Sequence, residues 1–337
     1  MSGLVTYYAF VAGARLARLL PERLAYGVAH AGGLLWRRFG GAKRATVTTN
    51  LARITGEGPG SPRLERLVRE AYKSYARYWL ETFRLVEQEP RFFLERFHCA
   101  GEGYLAEVLA RGRGAIIVVG HLGNWDAAAG WVGASGRSVV TVAEVLEPER
   151  LFRFFVRHRQ RLGITVHPAT PDSAAKLVEA VRGGAVVALL GDRDLRGRGP
   201  KVDFFGAPAT LPGGPASIAL RAGVPLLVAG VYGVVLPDGR RGWQAEIAEP
   251  IELPSTGGAD AVRSLTAEVA CRLEGFVGRQ PEEWHVFQPF WIEDRAAPPG
   301  NGGLSLGGRR PSPATPPDPP SSLGGRRPSP ATPPDPP

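Results

Sequence analysis

The chain has 337 residues, 44% of them hydrophobic, enough to bury a full core in one large or two modest domains, and this excludes global disorder. Its formal charge of +9 comes from 37 arginines and 4 lysines against 32 acidic residues, a balance that suits anionic partners: phospholipid headgroups, cofactor phosphates or nucleic acid. Two cysteines, Cys99 and Cys271, lie far apart without C-x-x-C spacing, so they make neither a disulfide framework nor a metal site, and a reducing, cytoplasmic setting is expected.

The chain opens with about 13 apolar residues before Arg15, too few to span a bilayer and without the basic leader of a signal peptide. Two helical patterns over residues 4–39 flank Pro21. Leu16, Leu19, Leu24, Leu35 and Trp36 are interspersed with Arg15, Arg18, Arg23, Arg37 and Arg38. That mixture fits an interfacial hairpin whose arginines meet acidic lipid, or an ordinary amphipathic pair on a soluble domain. Ser61-Pro62 supplies a cap and a proline at the first helical position, so a long helix is expected to residue 86. Its aromatics Tyr72, Tyr75, Tyr78, Trp79 and Phe83 read either as core or as a wall for an acyl chain.

After a helix expected at residues 102–111 comes AIIVVGHLGNWDAAAG, residues 115–130. Ala115, Ile116, Ile117, Val118 and Val119 show no polar alternation, as expected of a central strand covered on both faces. Gly120 ends the run, and Asn124 is placed to cap a helix of small residues. His121 therefore sits at the C-terminal edge of a strand, where open α/β sheets place ligands. Asp126 follows five residues later. On one continuous helix, residues five apart lie about 140° apart, so the two meet only if His121 is in the turn and Asp126 in the first turn of the helix. In that arrangement the carboxylate fixes the imidazole tautomer, and the other ring nitrogen becomes a general base for a hydroxyl. An H-x4-D spacing alone is weak, expected by chance in roughly one such sequence in five. The chain holds a second copy, His167 to Asp172, whose spacer carries Pro168 and Pro171; there Asp172 reads as the N-cap of the next helix.

A strand is expected at residues 138–143, then a basic helix from Pro148 with Arg150, Arg153, Arg157, Arg159 and Arg161 around an apolar face. A strand, a helix and a second buried strand at residues 185–190 follow. This second strand ends at Asp192-Arg193-Asp194, which a parallel pairing would bring to the same sheet edge as His121. The segment from Lys201 reads as an apolar loop leading into a small-residue helix, and two further strands and an amphipathic helix over residues 260–279 complete the domain. PEEWHVFQPFW closes it. The expected architecture is α/β, with a central mostly parallel or mixed sheet flanked by helices. A single domain covers residues 1–297, with interfacial helices at 1–40. Residues 298–337 form a disordered tail, in which SLGGRRPSPATPPDPP occurs at 305–320 and again at 322–337.

Together GHLGNWD, GDRD with VDFFG and LPGGPASIAL, and PEEWHVFQPFW resemble the lysophospholipid acyltransferase superfamily. Within it, the chain is similar to the lipid A acyltransferase-like branch that includes phosphatidylinositol mannoside acyltransferases. The resemblance covers residues 1 to 295 and implies transfer of a fatty acyl group from acyl-CoA to a sugar hydroxyl of an anionic glycolipid, at the cytoplasmic face of the cell membrane by a peripheral or monotopic enzyme. It implies His121 as the base and Asp126 as its orienter, with Arg159, Asp192, Arg193, Asp194, Asn124 and Glu144 as substrate-binding residues. Acyl-CoA is then a substrate; no permanently bound cofactor, metal or nucleic-acid partner is implied. The chemistry is consistent, since a thioester already has a good leaving group and needs no covalent nucleophile, and no G-x-S-x-G elbow is expected between a strand and a helix, the pattern occurring only at Gly303 to Gly307 in the Pro/Gly-rich tail. Three alternatives stay open: an acceptor of the lipid A type, a metal-dependent nucleotide-sugar glycosyltransferase using Asp192-x-Asp194, and a non-catalytic Arg-rich membrane adaptor.

Overall fold

A computed structural model of the protein describes residues 2–296, so the expected tail at 298–337 lies outside the described residues. Four helices come first: α1 (Ser2–Leu19), α2 (Glu22–Phe39), α3 (Gly41–Thr55) and α4 (Pro62–Leu85). Pro21 separates the first two, as the sequence pattern requires. α4 starts where Ser61 accepts a hydrogen bond from the Leu64 amide at 3.1 Å and Pro62 needs no donor of its own. The other three helices pack on α4. Arg18 Nε donates to Phe83 O (2.9 Å), and Arg84 Nη1 donates to Leu20 O (2.9 Å), pinning the α1–α2 hairpin to the end of α4.

Next come α5 (Pro90–Arg96), β1 (Phe97–Ala100), α6 (Glu102–Ala110), β2 (Ala115–Val119), α7 (Trp125–Ala134), β3 (Val139–Ala143), α8 (Glu149–Arg161) and β4 (Ile164–Pro168). They continue into α9 (Ser173–Arg182), β5 (Val186–Leu190), β6 (Lys201–Phe204), β7 (Ala207–Thr210) and α10 (Gly214–Ala222). β8 (Leu226–Val235), β9 (Arg241–Ile247), α11 (Ala259–Arg279), a 3-10 turn at Pro281–Glu283 and α12 (Ile292–Ala296) end the described chain. Seven strands form one sheet in the order β1-β9-β8-β2-β5-β3-β4, parallel throughout except for the antiparallel β8–β9 pair.

β2 is the centre of this sheet, and all five of its residues are buried. Ile116 and Val118 face the core under α9, α10 and α11, with Val187, Leu189, Leu226 and Val228. Ile117 and Val119 face the opposite layer with Trp131 of α7, Val186 and Ala229. Burying each such aliphatic side chain stabilises the fold by about 1.5–3 kcal/mol, which explains why a run without polar alternation settles in a doubly covered strand.

The sequence reading differs from the structure at several places. Residues 41–55, passed over in the sequence, form α3. The stretch from Lys201 is not a loop but the β6–β7 hairpin, because alternating Val202 and Phe204 bury one face against Trp284 and Phe290. α5, β1, the 3-10 turn and α12 are the other unforeseen elements, each too short for a periodic signal. Asp172 does occupy the residue before α9, yet its carboxylate takes Thr170 Oγ1 (2.5 Å) and Lys176 Nζ (2.7 Å), not a backbone amide.

Candidate active site

The turn after β2 is shaped by glycine. At Gly123 φ is +60°, and an added Cβ would lie 2.2 Å from Val231 O, so only glycine lets the chain pass over β8 there. Asn124 then caps α7, its Oδ1 accepting from the Ala127 amide at 3.0 Å. His121 is held between these devices and the neighbouring strand.

The partner of His121 is Asp192. Its ring Nδ1 lies 2.6 Å from Asp192 Oδ1, and its backbone amide donates to Asp192 Oδ2 at 2.7 Å. Trp284 Nε1 donates to the same Oδ2 at 2.8 Å. The cause is strand register. β2 and β5 run parallel with Val119 opposite Leu190, so two residues further on His121 stands beside Asp192. Asp192 is fully buried. Burial alone would raise its carboxyl, but the charge of His121 and the hydrogen bonds from His121 and Trp284 hold it below the usual carboxylate range. A carboxylate only accepts, so the network assigns the proton to Nδ1 and leaves the lone pair on Nε2. Arg193 Nη1 lies 3.4 Å from that Nε2, while Arg193 Nη2 donates to Gln288 Oε1 at 3.0 Å.

The expected contact between His121 and Asp126 is absent among the described residues. Asp126 is the second residue of α7, and its carboxylate faces the helices rather than the turn. Arg159 Nε of α8 donates to Oδ1 at 2.8 Å and Tyr78 OH of α4 donates to Oδ2 at 3.2 Å. Burial works against the Arg159 charge, yet Asp126 raises its pKa overall; burial, with Asp126 next, likewise raises Tyr78. Asp126 therefore ties α4, α7 and α8 together, one layer away from the imidazole's own partner.

Of the residues expected to bind substrate, Arg159, Arg193 and Glu144 line the same cavity as His121 and Asp126, with Glu144 exposed. Asn124 is buried and turned inward, its Nδ2 donating to Glu81 Oε2 at 3.0 Å. Asp194 staples its own loop, accepting from the amides of Arg196 (3.2 Å), Gly197 (3.0 Å) and Gly199 (2.7 Å). Asn124, Asp192 and Asp194 thus hold the site's frame in this structure rather than its open surface. Since both carboxylates of the D-x-D pattern are committed to separate partners, they do not form the shared pocket that a divalent ion on a diphosphate needs.

The cavity has a volume of about 580 Å³ and runs from His121 under α7, along the sheet face, past Ile117, Trp131, Val186, Ala229 and Ala245. Its walls are mainly apolar, and its polar lining includes His121, Asp126, Arg159, Arg193 and His285. Residues to which the sequence reading gave no role in holding His121 or Asp126 complete the site. Tyr78 anchors Asp126 and Trp284 anchors Asp192. His285 donates its amide to His121 O at 2.7 Å, and Glu283 O accepts from the Gly123 amide at 3.0 Å. PEEWH was visible as a motif, but its pairing with residues 121–123 is a long-range backbone contact without a local sequence signal.

The profile of the bacterial lipid A biosynthesis acyltransferase family matches residues 2–293. The chain belongs to that family. As a family member this acyltransferase takes an acyl donor and a lipid acceptor. It is 35% identical over 297 residues to the phosphatidylinositol mannoside acyltransferase of Mycolicibacterium smegmatis, covering 87% of this chain and 94% of the relative. The protein of the same name from Mycobacterium tuberculosis is 33% identical over 294 residues, covering 86% and 89%. Among solved structures, the 1-acyl-sn-glycerophosphate acyltransferase PlsC of Thermotoga maritima aligns over 69% of this chain and 95% of its own, at 15% identity and a TM-score of 0.34.

Proposed function

We propose that this acyltransferase moves a fatty acyl group from acyl-CoA to a sugar hydroxyl of a phosphatidylinositol mannoside, with His121 as general base. The observation that carries the mechanism is the His121–Asp192 pair, 2.6 Å apart, with His121 lining a mainly apolar cavity. The acceptor O–H gives its proton to Nε2 while its oxygen attacks the thioester carbonyl carbon. The C–S bond then breaks, and the coenzyme A thiolate takes the proton back from the imidazolium. Asp192 orients the ring and stabilises the imidazolium, as an acceptor on Nδ1–H does in other His–carboxylate dyads. The acyl chain lies in the cavity.

The acceptor class rests on the names of the two relatives. Seating on the cytoplasmic face of the membrane rests on α1 and α2. Leu19 is 81% and Phe39 75% exposed, and Leu16, Leu24 and Leu35 are exposed as well, beside arginines. Among the described residues no helix is long and apolar enough to cross a membrane, and we read the seating as peripheral or monotopic. The test is mass spectrometry of the lipids formed by the purified protein from palmitoyl-CoA and phosphatidylinositol mannosides, with lipid A precursors in parallel. An acylated mannoside, lost in a folded His121→Ala variant, is the expected result. Product only with lipid A precursors overturns the acceptor, and turnover by His121→Ala equal to wild type overturns the mechanism.

A further inference from the structure

Glu81 is a buried acid with no part in the chemistry above, and it is gripped from four elements. Its side chain is 4% exposed on α4. Oε2 accepts from Asn124 Nδ2 (3.0 Å) and from Trp243 Nε1 of β9 (2.9 Å). Oε1 accepts from Tyr26 OH of α2 (3.0 Å) and faces Arg77 Nε one turn away at 3.6 Å. Asn124 has no freedom to turn, since its Oδ1 caps α7 while its Nδ2 meets Glu81.

Arg77, which faces Glu81 on α4, also reaches the neighbouring residue of the loop. Arg77 Nη2 lies 2.5 Å from both carboxylate oxygens of Glu283, and Glu283 O accepts from the Gly123 amide. The turn that carries His121 is thus fixed at Asn124 by Glu81 directly, and at Gly123 by Arg77 through Glu283. Burial pushes the Glu81 carboxyl up, against the opposing pull of Arg77 and three donors. Leaving any of these partners out would strand a buried charge or donor, so the four contacts hold together as one unit.

We infer that Glu81 is a positioning residue for acyl transfer: by clamping Asn124 to β9 and to α2, it sets where the turn presents His121 to the cavity. The inference rests on the reading of His121 as the base. Displacing a base by an ångström costs about a hundredfold in rate, whereas much of the cavity's apolar wall, at Ile117, Val186, Ala229 and Ala245, lies on strands outside that turn.

The experiment is Glu81→Gln and Asn124→Ala, each alone and together, in the full-length protein. It is read by steady-state kinetics with palmitoyl-CoA and mannoside, by thermal unfolding, and by amide hydrogen exchange over residues 121–128. The expected result for Glu81→Gln is a fall in kcat of about tenfold or more, an unchanged KM for palmitoyl-CoA, and faster exchange over 121–128. The double variant is expected to lose no more than Asn124→Ala alone, because Glu81 acts through Asn124. A kcat within twofold of wild type overturns the inference, as do losses that multiply in the double variant or unchanged exchange. Trp243→Phe, which removes one donor to Oε2 and keeps a ring, carries the test if Glu81→Gln fails to fold; lower kcat at unchanged KM is expected, and unchanged kcat overturns. A wild-type protein without acyl transfer would sink the proposed function alone, since exchange at 121–128 still reports whether Glu81 holds the turn.

Discussion

His121 and Asp192 come from adjacent parallel strands, and the side chain of one meets the side chain of the other at 2.6 Å while Asp192 also accepts the backbone amide of His121. The carboxylate is therefore fixed to both the ring and the chain that carries it. Asp192→Asn replaces an acceptor by a group that can donate to Nδ1 and so favours the wrong tautomer. Loss in kcat/KM of about 10²–10⁴-fold is expected with the fold retained. Steady-state kinetics with palmitoyl-CoA, alongside circular dichroism, decide it, and turnover at the wild-type level would remove Asp192 from the mechanism.

Asp126 makes a contrasting prediction. It is 2% exposed and paired with Arg159 and Tyr78. Replacing Arg159 by Met leaves the carboxylate without its cation, and breaking a buried pair in this way costs roughly 3–5 kcal/mol. The urea midpoint of Arg159→Met is expected to fall accordingly. An unchanged midpoint would mean that the pair does not hold α7 to α8.

These two aspartates show what was legible in the sequence and what was not. The apolar run of β2 and the glycine after it located His121, because burial on both faces leaves a local trace. The same trace in β5 brought Asp192 to the same sheet edge. The choice of partner was not legible, because it depends on the register between strands about 70 residues apart. H-x4-D spacing pointed to Asp126, but the start of α7 at Trp125 turns that side chain toward α4 and α8. The supports at Glu81, Trp243 and residues 283–285 were silent for the same reason: each acts through a contact distant in sequence. The β6–β7 hairpin was missed because four-residue strands give too few alternations to read.

His285 is expected to make stability fall toward acid. Burial, then the charges of Arg77 and His121, lower its pKa well below the ordinary histidine value. The unfolded chain takes up a proton near pH 6.5 that the folded chain does not. The contribution of this group is thus complete above about pH 6.5 and lost as pH falls, with a limiting slope of about 1.4 kcal/mol per pH unit. His285→Gln should flatten the stability curve between pH 6.5 and 5, leaving a residual slope from His158, which burial also lowers. Denaturant melts across that range compare the two proteins, and parallel curves refute the assignment.

Ala129 lies on α7 where it lines the apolar cavity. Ala129→Phe adds a ring to that space, so kcat/KM should shift from palmitoyl-CoA toward shorter acyl-CoA donors. Each methylene no longer accommodated is worth about 0.8 kcal/mol. A donor series from C16 to C8 reads the shift; an unchanged preference would place the acyl chain elsewhere.

The exposed residues Leu19 and Phe39 predict membrane contact by α1 and α2. Leu19→Glu with Phe39→Glu should reduce co-sedimentation with vesicles of anionic phospholipid severalfold, and added salt should weaken the wild type through its arginines. Equal recovery of both proteins in the vesicle pellet would count against the seating.

The backbone of residues 121–123 finds its partners in residues 283–285, at the far end of the described chain. A nascent polypeptide that has emerged as far as Arg279 already contains every strand of the large sheet, yet Asp192 still lacks its indole donor and the histidine loop its bracing. The segment beginning at Pro281 supplies both, so the bracing of the centre follows, in chain order, every strand that carries it.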